Sequence, residues 1–200
     1  MAAYKAITIM SRKFETPVLL NELILQVDVL LSTAKEQLLT AQEEILLRQP
    51  APEKWSAAQC LDHLNGYTRF YIPAIEKAIT AKLTGSLPSM PSPVFRSGWL
   101  GNYFTKMMLP KADGHPGMKM QAPKGYRPLA RLDAKAVVNE FIEWQERMKL
   151  TLEQAKIINL ESIKIPTTLG NWLKFSLGDT FRFVIAHEQR HMAQALRAKS

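Results

Sequence analysis

Apolar residues near the start of the chain recur at alternating intervals of four and three positions. The series runs from Leu20 through Ile24, Val27, Leu31, Ala34, Leu38 and Ala41 to Ile45. This spacing places the side chains on one face of an α-helix. The pattern therefore predicts one long helix with a single buried face.

A second helix is predicted after the two prolines of "RQPAPEKW" (48–55). The following "SAAQ" has the form of a capping box, with Ser56 as N-cap and Gln59 three residues later. Pro73 is expected to kink this helix. Its predicted inward side chains are those of Cys60, Leu64, Tyr67, Tyr71, Ile75 and Ala78.

Two more helices are predicted in the second half of the chain. One begins after Asp133 as N-cap, and the other begins after Ser176, with Asp179 three residues later, and runs close to the C-terminus. The apolar side of the first comprises Val137, Phe141, Trp144, Met148 and Leu152. Strand signals are poor throughout.

The segment 85–131 differs in composition from the rest of the chain. It holds seven of the twelve prolines and six of the nine glycines, which predicts mostly irregular structure. Within it, "VFRSGWLGNYFTKMML" (94–109) is apolar enough for a short helix or a packed lid. The predicted fold is an all-α four-helix bundle with this long connection between helices 2 and 3.

Composition limits the classes of protein to which the chain can belong. Two hundred residues with 46% hydrophobic content suit one domain, residues 1–200. One cysteine, Cys60, excludes an internal disulfide framework and suits a reducing compartment. The N-terminus has no apolar run of the length of a signal-peptide core, and we expect no apolar run of membrane-spanning length in the chain. We therefore expect a cytoplasmic protein without a membrane partner.

The net charge of +8 is unevenly distributed. Seven basic residues and one acidic residue lie between Gly85 and Arg131, so this segment carries +6 of the total. Such a local excess disfavours an extended nucleic-acid-binding face. A small anionic substrate near the segment is compatible with it.

Three histidines are candidates for a metal site. His187 and His191, in "HEQRH" (187–191), are four residues apart and project from one face of the last predicted helix. His63 lies in the inward stripe of the second helix. Histidines on facing helices are typical ligands of metal sites in bundles.

The string "HEQRH" also matches H-E-x-x-H, the motif of zinc peptidases. Those enzymes take a third ligand from downstream, but only "MAQALRAKS" follows His191, without His, Asp, Glu or Cys. A peptidase is therefore the least favoured alternative. Glu188 is a weak candidate for a general base, and a flanking carboxylate is the favoured interpretation.

The segments "EKWSAAQCLDHL" (53–64) and "SLGDTFRFVIAHEQRHMAQ" (176–194) resemble the DinB superfamily of four-helix proteins. The resemblance covers the chain from about Leu20 to the end. It implies that His63, His187 and His191 bind a divalent ion, with zinc or nickel favoured. It also implies a metal-dependent hydrolase or a transferase that uses a low-molecular-weight thiol such as mycothiol or bacillithiol.

Several alternatives stay open at this level. The protein is either such an enzyme, acting through a metal-bound water or thiol, or a non-catalytic binder of metal or small ligands in a stress response. A homodimer is one possible assembly. Cys60 is either a fourth ligand or, as favoured, a buried apolar thiol.

Four further residues have other expected roles. Gln194 either supports a ligand imidazole or is an ordinary polar residue of the bundle, and Tyr67 either borders the site or simply packs. Trp55 is expected to be a helix staple. His115 is expected to be a loop histidine.

The connection is expected to act in one of two ways. It either folds across the mouth of the site or forms a solvated loop. In the first case "FRSGWLGNYF" covers the site, while Arg96, Lys106 and Lys124 provide a positive rim that favours an anionic substrate.

Overall fold

The structure, a computed structural model, describes residues 12–85, 90–110 and 121–200. The described helices are α1 (Thr16–Thr33), α2 (Glu43–Leu47), α3 (Ala57–Thr84), α4 (Trp99–Met108), α5 (Ala134–Ala155) and α6 (Leu177–Lys199). The described strands are β1 (Lys13–Glu15), β2 (Val94–Arg96), β3 (Lys164–Thr167) and β4 (Gly170–Ser176). A π-helical turn (Ala34–Leu38) continues α1, and a 3-10 turn (Lys124–Tyr126) precedes α5.

Four long helices form the bundle. α3 packs against α5 and α6, and α1 packs against the same two helices, so α1 and α3 occupy opposite corners. The core between them is built from aliphatic and aromatic side chains, with Tyr71, Phe141 and Phe181 fully buried. The predicted all-α four-helix bundle is confirmed, with α1, α3, α5 and α6 as its helices.

The predicted starts of three helices are also confirmed. Ser56 and Gln59 form the capping box of α3, with both reciprocal hydrogen bonds present. Asp133 accepts a hydrogen bond from the backbone N–H of Ala136 at the start of α5. Ser176 accepts one from the backbone N–H of Asp179 at the start of α6. These caps satisfy amide groups that have no partner inside the helix.

The prediction of one helix from Leu20 to Ile45 is wrong at its C-terminal end. The helical segment ends with the π-helical turn at Leu38, and α2 follows as a separate short helix. The ammonium group of Lys135, on α5, donates hydrogen bonds to the carbonyl oxygens of Leu39 and Ala41. A distant side chain thus satisfies carbonyl groups where the helix stops, and a local apolar pattern cannot reveal such a partner.

The segment Thr16–Leu38 also differs from the expectation about membrane-spanning runs. With 23 residues and a mean hydropathy of 1.4, it is long and apolar enough to cross a membrane by length and composition alone. A core helix of a bundle can pass the same test. Leu20 and Val27 are fully buried in the bundle, whereas Leu25 and Val29 are exposed, so one face of this helix is used in packing.

Two short antiparallel pairs of strands were missed by the pattern of the sequence. β1 pairs with β2, and β3 pairs with β4, both antiparallel. Gly170, the first residue of β4, follows the turn from β3 and has φ 133°, a conformation that favours glycine. Leu173 and Phe175 alternate with exposed residues in β4 and point into the core. This alternation is present in the sequence but is too short to stand out.

The described part of the long connection contains more regular structure than its composition predicts. The short helix expected within 94–109 is confirmed as α4, which packs on α6. Its start is held by the buried carboxylate of Asp179, which accepts hydrogen bonds from the Ser97 hydroxyl and the Gly98 backbone N–H. Arg182 donates to the Ser97 hydroxyl and to Asn102. This buried network fixes α4 against the bundle.

Candidate metal site

Three histidine side chains meet between α3 and α6. His63 lies near the start of α3, and His187 and His191 lie one turn apart on α6. The Nε2 atoms of His63 and His187 are 3.2 Å apart. One ring nitrogen from each of the three lies within 4.8 Å of the others, and the group is largely buried. The structure therefore brings together all three predicted ligands.

Hydrogen bonds orient two of the three imidazole rings. The Nδ1 atom of His63 is 2.6 Å from the backbone carbonyl oxygen of Tyr126. The Nδ1 atom of His191 is 3.0 Å from the Oε1 atom of Gln194. Each acceptor selects the tautomer that carries the proton on Nδ1, which leaves the Nε2 lone pair for a ligand. Metal-binding histidines are commonly held in this way.

Burial keeps the three imidazoles neutral. It lowers the pKa of His63, lowers that of His187 well below its ordinary value, and lowers that of His191 to about 3. The proximity of the rings to one another and to Arg190 lowers the pKa values of His187 and His191 further. Neutral imidazole is the form that binds metal ions, so protons do not compete for these nitrogens near pH 7.

The spacing of the nitrogens suits a divalent ion. A tetrahedral zinc ion with Zn–N bonds of about 2.0–2.1 Å has ligand nitrogens roughly 3.3–3.4 Å apart. The 3.2 Å separation between His63 and His187 is close to that value. The group can therefore hold a metal ion with small adjustments of the side chains.

A cavity of about 160 Å³ opens beside the three histidines. Aromatic side chains form much of its wall, among them Trp55, Tyr67, Phe104 and Phe183. The Tyr67 ring lies 4.5 Å from the His187 ring, and the Trp55 ring lies 4.9 Å from the His63 ring, measured between centroids. Both residues therefore border the site.

The family profile of the DinB superfamily matches residues 30–195. The chain belongs to the DinB superfamily. This match covers most of the bundle and includes all three clustered histidines. DinB-like proteins bind metal ions, in agreement with the geometry of the group. No curated protein and no solved structure shows a significant match to the chain.

Cys60 takes no part in the candidate site of this DinB-superfamily protein. Its side chain is fully buried, and burial raises the pKa of the thiol to about 12. Among the described residues, the group that could hold the ion contains the three histidines alone. The favoured interpretation of Cys60 as a buried apolar thiol agrees with this placement.

Glu188 faces away from the cavity. Its carboxyl group is buried and accepts a hydrogen bond of 3.0 Å from the amide of Gln145 on α5. Burial raises the pKa of this carboxyl group to about 8. Glu188 is not part of the cavity wall. This position fits a flanking carboxylate and does not support a peptidase general base.

The connection reaches the site, although not through the predicted cations. Phe104 from α4 and the segment 121–123 form part of the cavity wall. Arg96, Lys106 and Lys124 do not line it. The expected positive rim therefore does not consist of those residues. His115 lies outside the described residues.

Three residues in or beside the site were missed from the sequence. The Tyr126 carbonyl oxygen holds His63, Arg190 lines the cavity, and Gln145 binds Glu188. Arg190 lies inside "HEQRH", and its position one residue before His191 was a usable signal. Gln145 is a polar residue between Phe141 and Met148 in an apolar stripe. This polar interruption of the stripe was a second usable signal.

Proposed function

We propose that this DinB-superfamily protein is a divalent-metal-dependent enzyme, either a hydrolase or a thiol-dependent transferase. His63, His187 and His191 hold the ion, which we expect to be zinc or nickel. The observation that carries the proposal is the arrangement of their nitrogens. Hydrogen-bond acceptors contact Nδ1 of His63 and Nδ1 of His191, and an open cavity lies beside the three histidines.

The ion would supply a Lewis acid with an open coordination position, which lowers the pKa of a coordinated water or thiol. The chain's own residues supply the surroundings. The Tyr126 carbonyl and Gln194 fix two ligand rings, and aromatic side chains provide an apolar wall beside them. Glu188 has no part in proton transfer, because its carboxyl group lies outside the cavity wall.

Metal analysis of untagged protein tests the ligand set. We expect about one ion per chain after supplementation, and a loss of most of it in His63→Ala. The matched control is His115→Ala, which changes the fourth histidine of the chain and should retain the ion. Bound metal far below one ion per chain, or equal retention in both variants, would contradict the proposal.

Activity separates the enzyme from a non-catalytic binder with the same ligands. The metal-loaded protein should turn over at least one member of a panel of esters, amides and thiol conjugates, and His63→Ala should not. Glu188→Gln should retain metal and activity, whereas a peptidase would lose its general base. Full metal occupancy without any turnover would favour the binder.

A further inference from the structure

A second, larger depression adjoins the histidine cavity. It is a cleft of about 750 Å³, and the two spaces share walls formed by Trp55, Arg190 and His191. Small-molecule sites in proteins usually measure about 300–1,000 Å³. The histidine cavity, at about 160 Å³, is below that range, and the cleft is within it. A ligand that reaches the histidines would therefore keep most of its volume in the cleft.

The described wall of this cleft is basic. Its cations are Lys54, Arg127, Arg190 and Arg197, and its one carboxylate is Glu53, which gives 4 − 1 = +3. The cations come from three separate parts of the chain: the loop before α3, the end of the connection, and α6. Positive charges that converge from separate elements on one concave space raise the local concentration of anions.

Backbone carbonyl groups position two of these cations. The Nε atom of Arg127 donates to the carbonyl oxygen of Ala122, and the Nη1 atom of Arg190 donates to that of Met107. The neutral carbonyl acceptor orients the Arg127 guanidinium group without cancelling its charge. Arginine forks of this kind suit carboxylate and phosphate groups.

We propose that the cleft binds the anionic part of the ligand, a carboxylate or phosphate group. The rest of the ligand, a short uncharged arm, reaches the three histidines past the wall that the two spaces share. The class of ligand is thus a small molecule with at least one anionic group at one end and the reacting group at the other. The part of this inference that concerns the arm and the histidines rests on the proposed function. Anion binding in the cleft does not depend on the proposed function.

Isothermal titration of metal-free protein at low salt tests the cleft directly, with citrate and inorganic phosphate as probes. We expect citrate to bind, and to bind about tenfold or more weakly in Lys54→Gln/Arg197→Gln. Both side chains are exposed, so these changes should leave the fold intact. The matched control is Lys77→Gln/Lys164→Gln, which removes the same charge from exposed positions outside the cleft.

The arm towards the histidines is tested with cobalt-loaded protein and two thiols. Mercaptosuccinate carries two carboxylates, whereas 2-mercaptoethanol carries none. The visible spectrum of cobalt should change at lower concentrations of mercaptosuccinate, and this preference should disappear in Lys54→Gln/Arg197→Gln while cobalt content is unchanged.

The two proposals can fail separately. His63→Ala should lose metal yet still bind citrate. Absence of citrate binding, or equal weakening in the cleft and control variants, would overturn the anionic subsite while leaving the metal site in place. Citrate binding with no preference between the thiols would overturn the link between cleft and histidines.

Discussion

Hydrogen bonds on Nδ1 determine which nitrogen His63 and His191 present to the cavity. Gln194 is bound to His191 by its side chain and lies one turn further along the same helix. Its Oε1 atom fixes both the tautomer and the angle of the ring. Removal of this acceptor leaves the ligand in place but allows the ring to rotate.

Gln194→Ala should therefore weaken metal binding by about 10–100-fold without unfolding the protein. Competition with a chromophoric chelator measures the affinity. Gln154→Ala, an exposed glutamine on α5, is the control and should leave the affinity unchanged. Equal affinities in the two variants would show that Gln194 does not hold the ring.

The buried carboxyl group of Glu188 makes stability depend on pH. Its pKa is about 8 in the folded chain against an ordinary value of 4.5, so the folded chain binds more protons between these pH values. The free energy of unfolding therefore falls as pH rises through this range, by a few kcal/mol at about pH 8. The three histidines have lowered pKa values and act in the opposite direction below their ordinary pKa of 6.5.

Glu188→Gln should remove the fall in the free energy of unfolding as pH rises towards 8. Metal-free wild-type protein should lose stability between pH 6.5 and 8, and the variant should not, so the variant should be the more stable of the two at pH 8. Urea unfolding at several pH values measures this difference. Glu36→Gln, at an exposed position, should behave as the wild type. Parallel profiles for Glu188→Gln and wild type would contradict the assignment.

The residues of the site were predictable to different degrees. The histidines and Gln194 lie at helical spacings, so their shared face follows from the sequence. The bond between His63 and the Tyr126 carbonyl joins residues 63 positions apart. A backbone carbonyl group has no sequence signature, and its position depends on how an irregular segment folds.

At the level of elements, α4 is fixed to α6 by a close approach at Gly101. A Cβ atom at this position would lie 2.4 Å from the Cγ atom of Asp179, which is closer than real contacts allow. Asp179 is itself buried and held by several hydrogen bonds. The two helices can therefore approach this closely only because Gly101 has no side chain.

Gly101→Ala should destabilise the protein by about 1–3 kcal/mol, the usual range for added volume in a tightly packed region. Hydrogen exchange should increase in the segment 97–108 more than in α5. Gly125→Ala is the control, since a Cβ atom there meets no atom within 4 Å. Equal stability of the two variants would mean that α4 can shift at little cost.

The elements themselves were predicted best where a local signal determined them. Ser56, Asp133 and Ser176 cap their helices through neighbours three residues away, and all three starts are correct. The end near Leu38 depends on Lys135, about a hundred residues further along the chain, and was missed. The short strand pairs were missed because two or three alternating positions are too few to separate a strand from a loop.

The whole molecule should respond to metal, because the ligands come from two different helices. A divalent ion would join α3 to α6 and bind the folded chain in preference to the unfolded one. At a free ion concentration a hundred times the Kd, the gain is about 2.7 kcal/mol. The midpoint of thermal unfolding should therefore rise with zinc or nickel.

This rise should be absent in His63→Ala and present in His115→Ala. Differential scanning calorimetry with and without the ion measures the shift in each variant. A shift of equal size in His63→Ala would place the bound ion elsewhere.

The hydrogen bond between His63 and Tyr126 has an evolutionary consequence. Its acceptor is a main-chain carbonyl, which every amino acid possesses, proline included. Substitution at position 126 can therefore alter the aromatic contact with Tyr67 without removing the acceptor. The connection before α5 is free to diverge in sequence among relatives, provided that its path past His63 is kept. We expect natural variants to differ there far more than at the three histidines.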